Sequence, residues 1–164
     1  MAVTDIKSSK TVIGQGYKGN ITVTAENHGG FTETFDVTAY ANTTIIASQA
    51  VTLTSGNFTT ITFTWNTTGF AYGNYSISTV ADIVLGETDT EDNNFTDGWV
   101  FVSIPGDING DQYVNAKDAV LLGTAFSANQ GQFSFNPNAD INDDQWCNAK
   151  DAVTLGTHFN EHWE

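Results

Sequence analysis

The residues best placed to do chemistry lie between Asp107 and Asp151, where one twelve-residue pattern, D-I-N-x-D-Q-x-x-N-A-K-D, is written twice. Its first copy is Asp107, Asn109, Asp111, Asn115 and Asp118. Its second is Asp140, Asn142, Asp144, Asn148 and Asp151, each 33 residues from its counterpart, so the stretch is a tandem duplication. Calcium takes six to eight hard oxygen ligands. A twelve-residue loop supplies them from positions 1, 3 and 5, the carbonyl of 7, position 9 through water and a bidentate carboxylate at 12. Both copies fill these slots: carboxylates at 1, 5 and 12, an amide at 3 and another at 9, and the carbonyl of Tyr113 or Trp146 at 7. Two calcium ions are therefore expected. Magnesium prefers a small octahedral shell that keeps much of its water, and zinc wants His or Cys, which the loops lack apart from Cys147.

The elements that must hold these ligands can be read around them. Asn115-Ala-Lys-Asp118 and Asn148-Ala-Lys-Asp151 each read as a helix start, an Asn cap with an acid three residues on. Asp118 and Asp151 then close the ion's shell and sit favourably on the helix dipole. Position 8, Val114 or Cys147, points into a core. No helix enters either loop: Trp99 to Gly106 reads as a strand ending in a turn, and Phe133 to Ala139 is broken by Asn and Pro.

A duplicated calcium loop with only an exiting helix, and Asp at position 12, resembles a type I dockerin over residues 104–163. That resemblance implies a module that docks onto a cohesin domain. The helices repeat as well, with Val120, Leu122, Gly123, Thr124 and Phe126 matching Val153, Leu155, Gly156, Thr157 and Phe159. Two similar helices about a pseudo-two-fold axis, sharing a small core, are implied. Trp163 is expected to pack near Ile104 and Pro105, clasping the module's ends. The sequence departs from the family's pattern in three ways. Position 6, usually Gly, is Gln112 and Gln145, which costs on the order of 1 kcal/mol if φ is positive there. Positions 10 and 11, through which dockerins read their partner, are Ala116-Lys117 and Ala149-Lys150. Positions 17 and 18, often bulky or basic, are Gly123-Thr124 and Gly156-Thr157. The partner-reading set thus differs from the cellulosomal one, while its duplication preserves the option of binding in two orientations.

Residues 1 to about 103 are of another kind. Thr, Val, Ile and aromatics alternate with polar residues in short runs broken by Gly and Asn, the pattern of a β-sandwich. Strands are expected near 2–7, 17–26, 33–41, 44–52, 58–66, 74–83 and 97–104. Tyr17, Ile21, Val23 and Ala25 would share one buried face, and Phe58, Ile61, Phe63 and Trp65 another. The runs around Phe35–Ala41, Thr60–Trp65 and Gly73–Ile77, closed by Glu87 to Asn94, resemble a CARDB domain. The likeness implies an immunoglobulin-like sandwich associated with adhesion at prokaryotic cell surfaces. Glu87, Asp89, Glu91 and Asp92 form either a third cation site or, preferably, a solvated hairpin tip. Six N-x-S/T triplets, at Asn20, Asn42, Asn57, Asn66, Asn74 and Asn94, are glycosylation candidates, all before the calcium loops.

Charge and the remaining residue types narrow the function. Five Lys and no Arg stand against nineteen acids, and the net charge of −14 argues against nucleic acid and anionic membrane faces as partners. From Pro105 onward nine acids and two Lys leave −7, which two calcium ions would reduce to −3, so calcium should be part of folding. One cysteine makes no internal disulfide. No signal peptide or membrane-spanning run is visible, so a secreted protein would be represented by a mature piece or by a fragment starting on an added Met. His28, His158 and His162 have no nucleophile placed to pair with them. His158 and His162, four apart on an expected helix, read as its exposed end rather than a metal site, and Cys147 as core.

The expectation is a multidomain, non-catalytic extracellular protein. An all-β immunoglobulin-like sandwich (1–103) is joined by a short hinge, Ile104-Pro105-Gly106, to a small all-α dockerin-like module (104–164) with two calcium loop-helix repeats. The module would attach to a cohesin-like partner or, alternatively, to another copy of the chain. A further alternative makes the sandwich a carbohydrate-binding module, which a row of exposed aromatics on one face would support.

Overall fold

The computed structural model describes residues 1–164. Eight strands precede two helices: β1 (Ala2–Ser8), β2 (Val12–Gly14), β3 (Lys18–Glu26), β4 (Glu33–Ala41), β5 (Thr44–Leu53), β6 (Phe58–Asn66), β7 (Gly73–Ala81), β8 (Asn94–Ser103), α1 (Ala116–Ala125) and α2 (Ala149–Thr157). The strands form a sandwich, with one sheet ordered β1-β3-β6 and the other β2-β8-β7-β4-β5.

Alternation decides which side chains face inward. β3 buries Ile21, Val23 and Ala25, and β6 buries Ile61, Phe63 and Trp65. Phe58 departs from the expectation and is 68% exposed. It is even-numbered where its buried neighbours are odd, so a period of two turns it outward. The strand β2 was not anticipated either. Three residues are too few to show a period, and it is held by parallel pairing to a distant partner, Val12 opposite Phe101 and Ile13 opposite Val102.

The chain divides into two compact units. One comprises Met1–Ser9, Asn20–Trp65 and Tyr75–Trp99; the other comprises Lys10–Gly19, Asn66–Asn74 and Val100–Glu164. In the first, the core is built from alternate residues of the strands, such as Ile6, Phe35, Val37 and Ile77.

The second unit has its own core of Ile104, Ile108, Val114, Leu122, Ala125, Ala139, Ile141, Cys147 and Leu155. Most of these occur as duplicate pairs, Ile108 with Ile141, Val114 with Cys147, Leu122 with Leu155, so the repeat in sequence becomes a repeat in packing. Tyr17 and Tyr72 pack against this core, and so does Trp163. The Trp163 ring lies 5.2 Å from Tyr72 and 5.6 Å from Phe101, and its Nε1 donates to Ser103 Oγ at 3.1 Å. The clasp therefore closes on Tyr72, Phe101 and Ser103, against the core to which Ile104 belongs. The residues expected to form a hinge are all buried. A Cβ on Gly14 would come within 2.7 Å of Pro105 Cα, and one on Gly106, whose φ is +105°, within 2.9 Å of Leu155 Cα. Both glycines are there because neighbouring backbone leaves no room for a side chain.

Candidate metal centre

Each loop is wound around its first and last carboxylates. In loop 1, Asp118 Oδ1 accepts from the N–H of Ile108 at 2.9 Å and of Asn109 at 3.2 Å, while its Oδ2 accepts from Asn115 N–H at 2.9 Å. Asp107 Oδ1 accepts from Gly110 and Asp111 N–H, and its Oδ2 from Gln112 N–H and the Ser103 hydroxyl. Loop 2 repeats most of this: Asp151 accepts from Ile141, Asn142 and Asn148, and Asp140 from Asp144 and Gln145. Asp118 and Asp151 are fully buried, Asp107 and Asp140 nearly so. Burial raises the pKa of Asp107 and of Asp140 above the ordinary carboxylate value, because the charged form is poorly solvated there.

The helix starts follow the expected design. Asn115 and Asn148 are N-caps with complete capping boxes, their side chains accepting from Lys117 and Lys150 N–H. The position 6 residues take the left-handed conformation that Gly normally occupies, with φ of 74° at Gln112 and 69° at Gln145. Val114 and Cys147 are buried as position 8 requires. They do not pair with each other. Val114 exchanges backbone bonds with the segment after α2 (Asn160 and Glu161), and Cys147 with the segment after α1 (Ser127 and Ala128). Each loop is thus tied to the chain leaving the other loop's helix. The position 5 carboxylates are held from outside, Asp111 by Lys117 at 2.9 Å and Asp144 by Lys150 at 2.8 Å. These ammonium groups lower the pKa of Asp111 and of Asp144.

In loop 1 the carboxylate oxygens of Asp107, Asp111 and Asp118 lie within 4.8 Å of one another. Three anionic groups this close, two of them buried and all oxygen donors, fit a hard divalent cation of the calcium kind. The carbonyl of Trp146, at position 7, accepts from Asn148 Nδ2 at 3.3 Å. Tyr113 stacks on His162 at 5.2 Å.

Other candidates fall out differently. His158 and His162 do not share a helix: α2 ends at Thr157 and the chain turns at Asn160, with φ of 70°, to pair with loop 1. Glu87 is turned inward, paired with the Met1 amine and bonded by Asn93 Nδ2 at 3.1 Å. With Glu87 engaged there, the four acids of that turn do not gather as those of loop 1 do. Cys147 is a buried core thiol whose pKa burial raises.

Comparison with protein families places both halves. The CARDB family model matches residues 2–97, and the dockerin type I domain model matches residues 105–160. The chain belongs to the CARDB family and carries a type I dockerin domain. Dockerins bind calcium, and both families are non-catalytic. Among solved structures, a CARDB domain from Pyrococcus furiosus, crystallised in complex with di-metal ions, is 26% identical. The match covers 63% of this chain and 92% of that one at a TM-score of 0.54. A domain from Methanosarcina acetivorans is 22% identical, covering 62% of this chain and 90% of that one, with a TM-score of 0.48. A β-glucosidase from Erythrobacter marinus is 13% identical over 62% of this chain and 15% of its own, with a TM-score of 0.49. No curated protein matched. No helix of the CARDB–dockerin chain is long and apolar enough to cross a membrane.

Proposed function

We propose that the chain is a calcium-dependent attachment protein of the cell surface. A dockerin module (104–164) loaded with two calcium ions docks onto a cohesin-like partner, and a CARDB sandwich (1–103) serves as adhesive or spacer. Asp107, Asn109, Asp111, the Tyr113 carbonyl, Asn115 and Asp118 would hold one ion. Asp140, Asn142, Asp144, the Trp146 carbonyl, Asn148 and Asp151 would hold the other.

The observation that carries this reading is the duplicated exposed face beside the loops. Ala116, Lys117, Ala119, Val120 and Gly123 are exposed on α1, and Ala149, Lys150, Ala152, Val153 and Gly156 on α2. Val120 and Val153 are 64% and 68% exposed, an apolar pair flanked by Lys on a strongly acidic chain. Small residues there leave room for a partner's backbone to approach.

The test is capture from a cell-envelope extract on immobilised chain, with calcium and with chelator. Retention of one protein only in calcium, lost in a Val120→Asp/Val153→Asp variant that still takes up calcium, is the expected result. Capture indifferent to both would overturn the proposal, and calcium-dependent growth of particles from the pure chain in light scattering would point instead to self-assembly.

One observation favours a second reading. Phe95 and Trp99 lie on the same side of β8, 38% and 63% exposed, the row of aromatics a carbohydrate-binding sandwich would present. Binding of the chain to insoluble polysaccharide, lost on Trp99→Ala, would establish it; equal retention of both proteins would not. Of the sequon asparagines, Asn42, Asn57, Asn66, Asn74 and Asn94 are exposed and Asn20 is half-buried, so at least five can accept a glycan. The intact mass of native material reads this directly.

A further inference from the structure

We propose that Lys10 makes the two calcium loops unequal, leaving the second as the weaker site. This rests on reading both loops as calcium sites. Their ligand types are identical in sequence, so the ligands alone would give equal affinities.

The symmetry breaks at position 4, where both loops meet the same stretch of chain. In loop 1 the residue is Gly110, with φ of 73°, and a Cβ there would come within 3.1 Å of Val12 Cγ2. In loop 2 it is Asp143, with φ of 60°, and its carboxylate pairs with Lys10 Nζ at 3.2 Å. That Nζ also donates to the backbone carbonyl of Asp140, whose carboxylate occupies position 1. The Lys10 side chain is only 4% exposed, whereas that of Asp143 is 22% exposed. Solvent therefore damps the carboxylate's charge more than the ammonium's, and the pair does not cancel at the loop. Loop 1 has no buried counterpart. Lys117 and Lys150 lie at equivalent, exposed places on both loops and make no difference between them.

The preorganisation of the loops differs in the same sense. Gly110 N–H donates to Asp107 Oδ1 at 2.8 Å, but Asp143 N–H turns to the Asp140 carbonyl at 3.4 Å. The Asp140 carboxylate is thus held by two bonds where that of Asp107 is held by four. A fixed positive charge beside loop 2 repels a divalent ion. It also relieves the crowding of carboxylates that would otherwise drive binding. Loop 1 fills first, and loop 2 responds at higher calcium. Lys10 acts as a positioning residue, touching no ion itself.

Calorimetric titration of the full chain with calcium tests this, with the amide resonances of Gln112 and Gln145 reporting which loop fills. The native chain should show two steps, the first from Gln112. Lys10→Met should tighten the second step by about tenfold, and Asp143→Gly, which strips the ammonium of its compensating charge, should weaken it by a similar factor. Neither should move the first step. If Lys10→Met does not fold, the Asp143→Gly result alone decides, because that side chain is partly exposed and its removal leaves the core intact. Equal steps in the native chain, or steps that neither variant shifts, overturn the role of Lys10 and leave the calcium sites standing. No uptake by any of the three proteins overturns the reading of the loops themselves.

Discussion

Chelation of calcium from the loaded chain is expected to cost the second unit most of its stability. Each ion bound to the folded state alone contributes RT ln(1 + [L]/Kd), about 2.7 kcal/mol at a hundredfold excess, so two contribute roughly 5 kcal/mol. That is comparable with the whole stability of a small domain, about 5–15 kcal/mol. The loss falls on a unit with little to spare, because Asp107 and Asp140 are buried with their charges poorly solvated once the ions have gone. Circular dichroism at the helical band, followed with and without EDTA, should show α1 and α2 melting at a much lower temperature without calcium. A melting curve indifferent to EDTA would remove calcium from the folding of this unit.

Replacing Asp118 with Ala should be strongly damaging. The carboxylate is fully buried and satisfies three backbone donors, those of Ile108, Asn109 and Asn115. The Ile108 N–H is buried and the other two are partly so; an orphaned buried N–H costs about 1–3 kcal/mol, so the variant loses roughly 2 kcal/mol or more even before any effect on the ion. Asp118→Asn keeps acceptor capacity on one atom only and should fall between. Urea unfolding in excess calcium checks the order, and an Asp118→Ala protein as stable as the native one would show that these bonds are replaced by water.

The two duplicated loops and the longer strands were legible because each leaves a short-range mark. Twelve-residue spacing, an Asn cap followed by an acid, and alternation over nine residues are all local patterns, and Gln112 and Gln145 take positive φ as their place in the loop requires. Four features left no such mark. β2 is three residues long, and only pairing with β8 makes it a strand. Lys10 reads as one polar residue in a loop, since nothing near it in sequence announces Asp140 or Asp143. The pairing of Val114 with the segment after α2 depends on how the two repeats meet. That same pairing ends α2 before His162, which sequence periodicity alone would have kept on the helix.

The second unit is drawn from three separate stretches of chain, Lys10–Gly19 and Asn66–Asn74 besides the C-terminal part. A portable tag made by cutting before Ile104 would therefore leave behind Tyr17, Tyr72 and the Lys10 ammonium. Trp163 would then face water on the side where Tyr72 and Phe101 now cover it. Anyone wishing to graft this recognition element onto another protein should transplant the whole polypeptide, since the excised tail would lack part of its own upholstery.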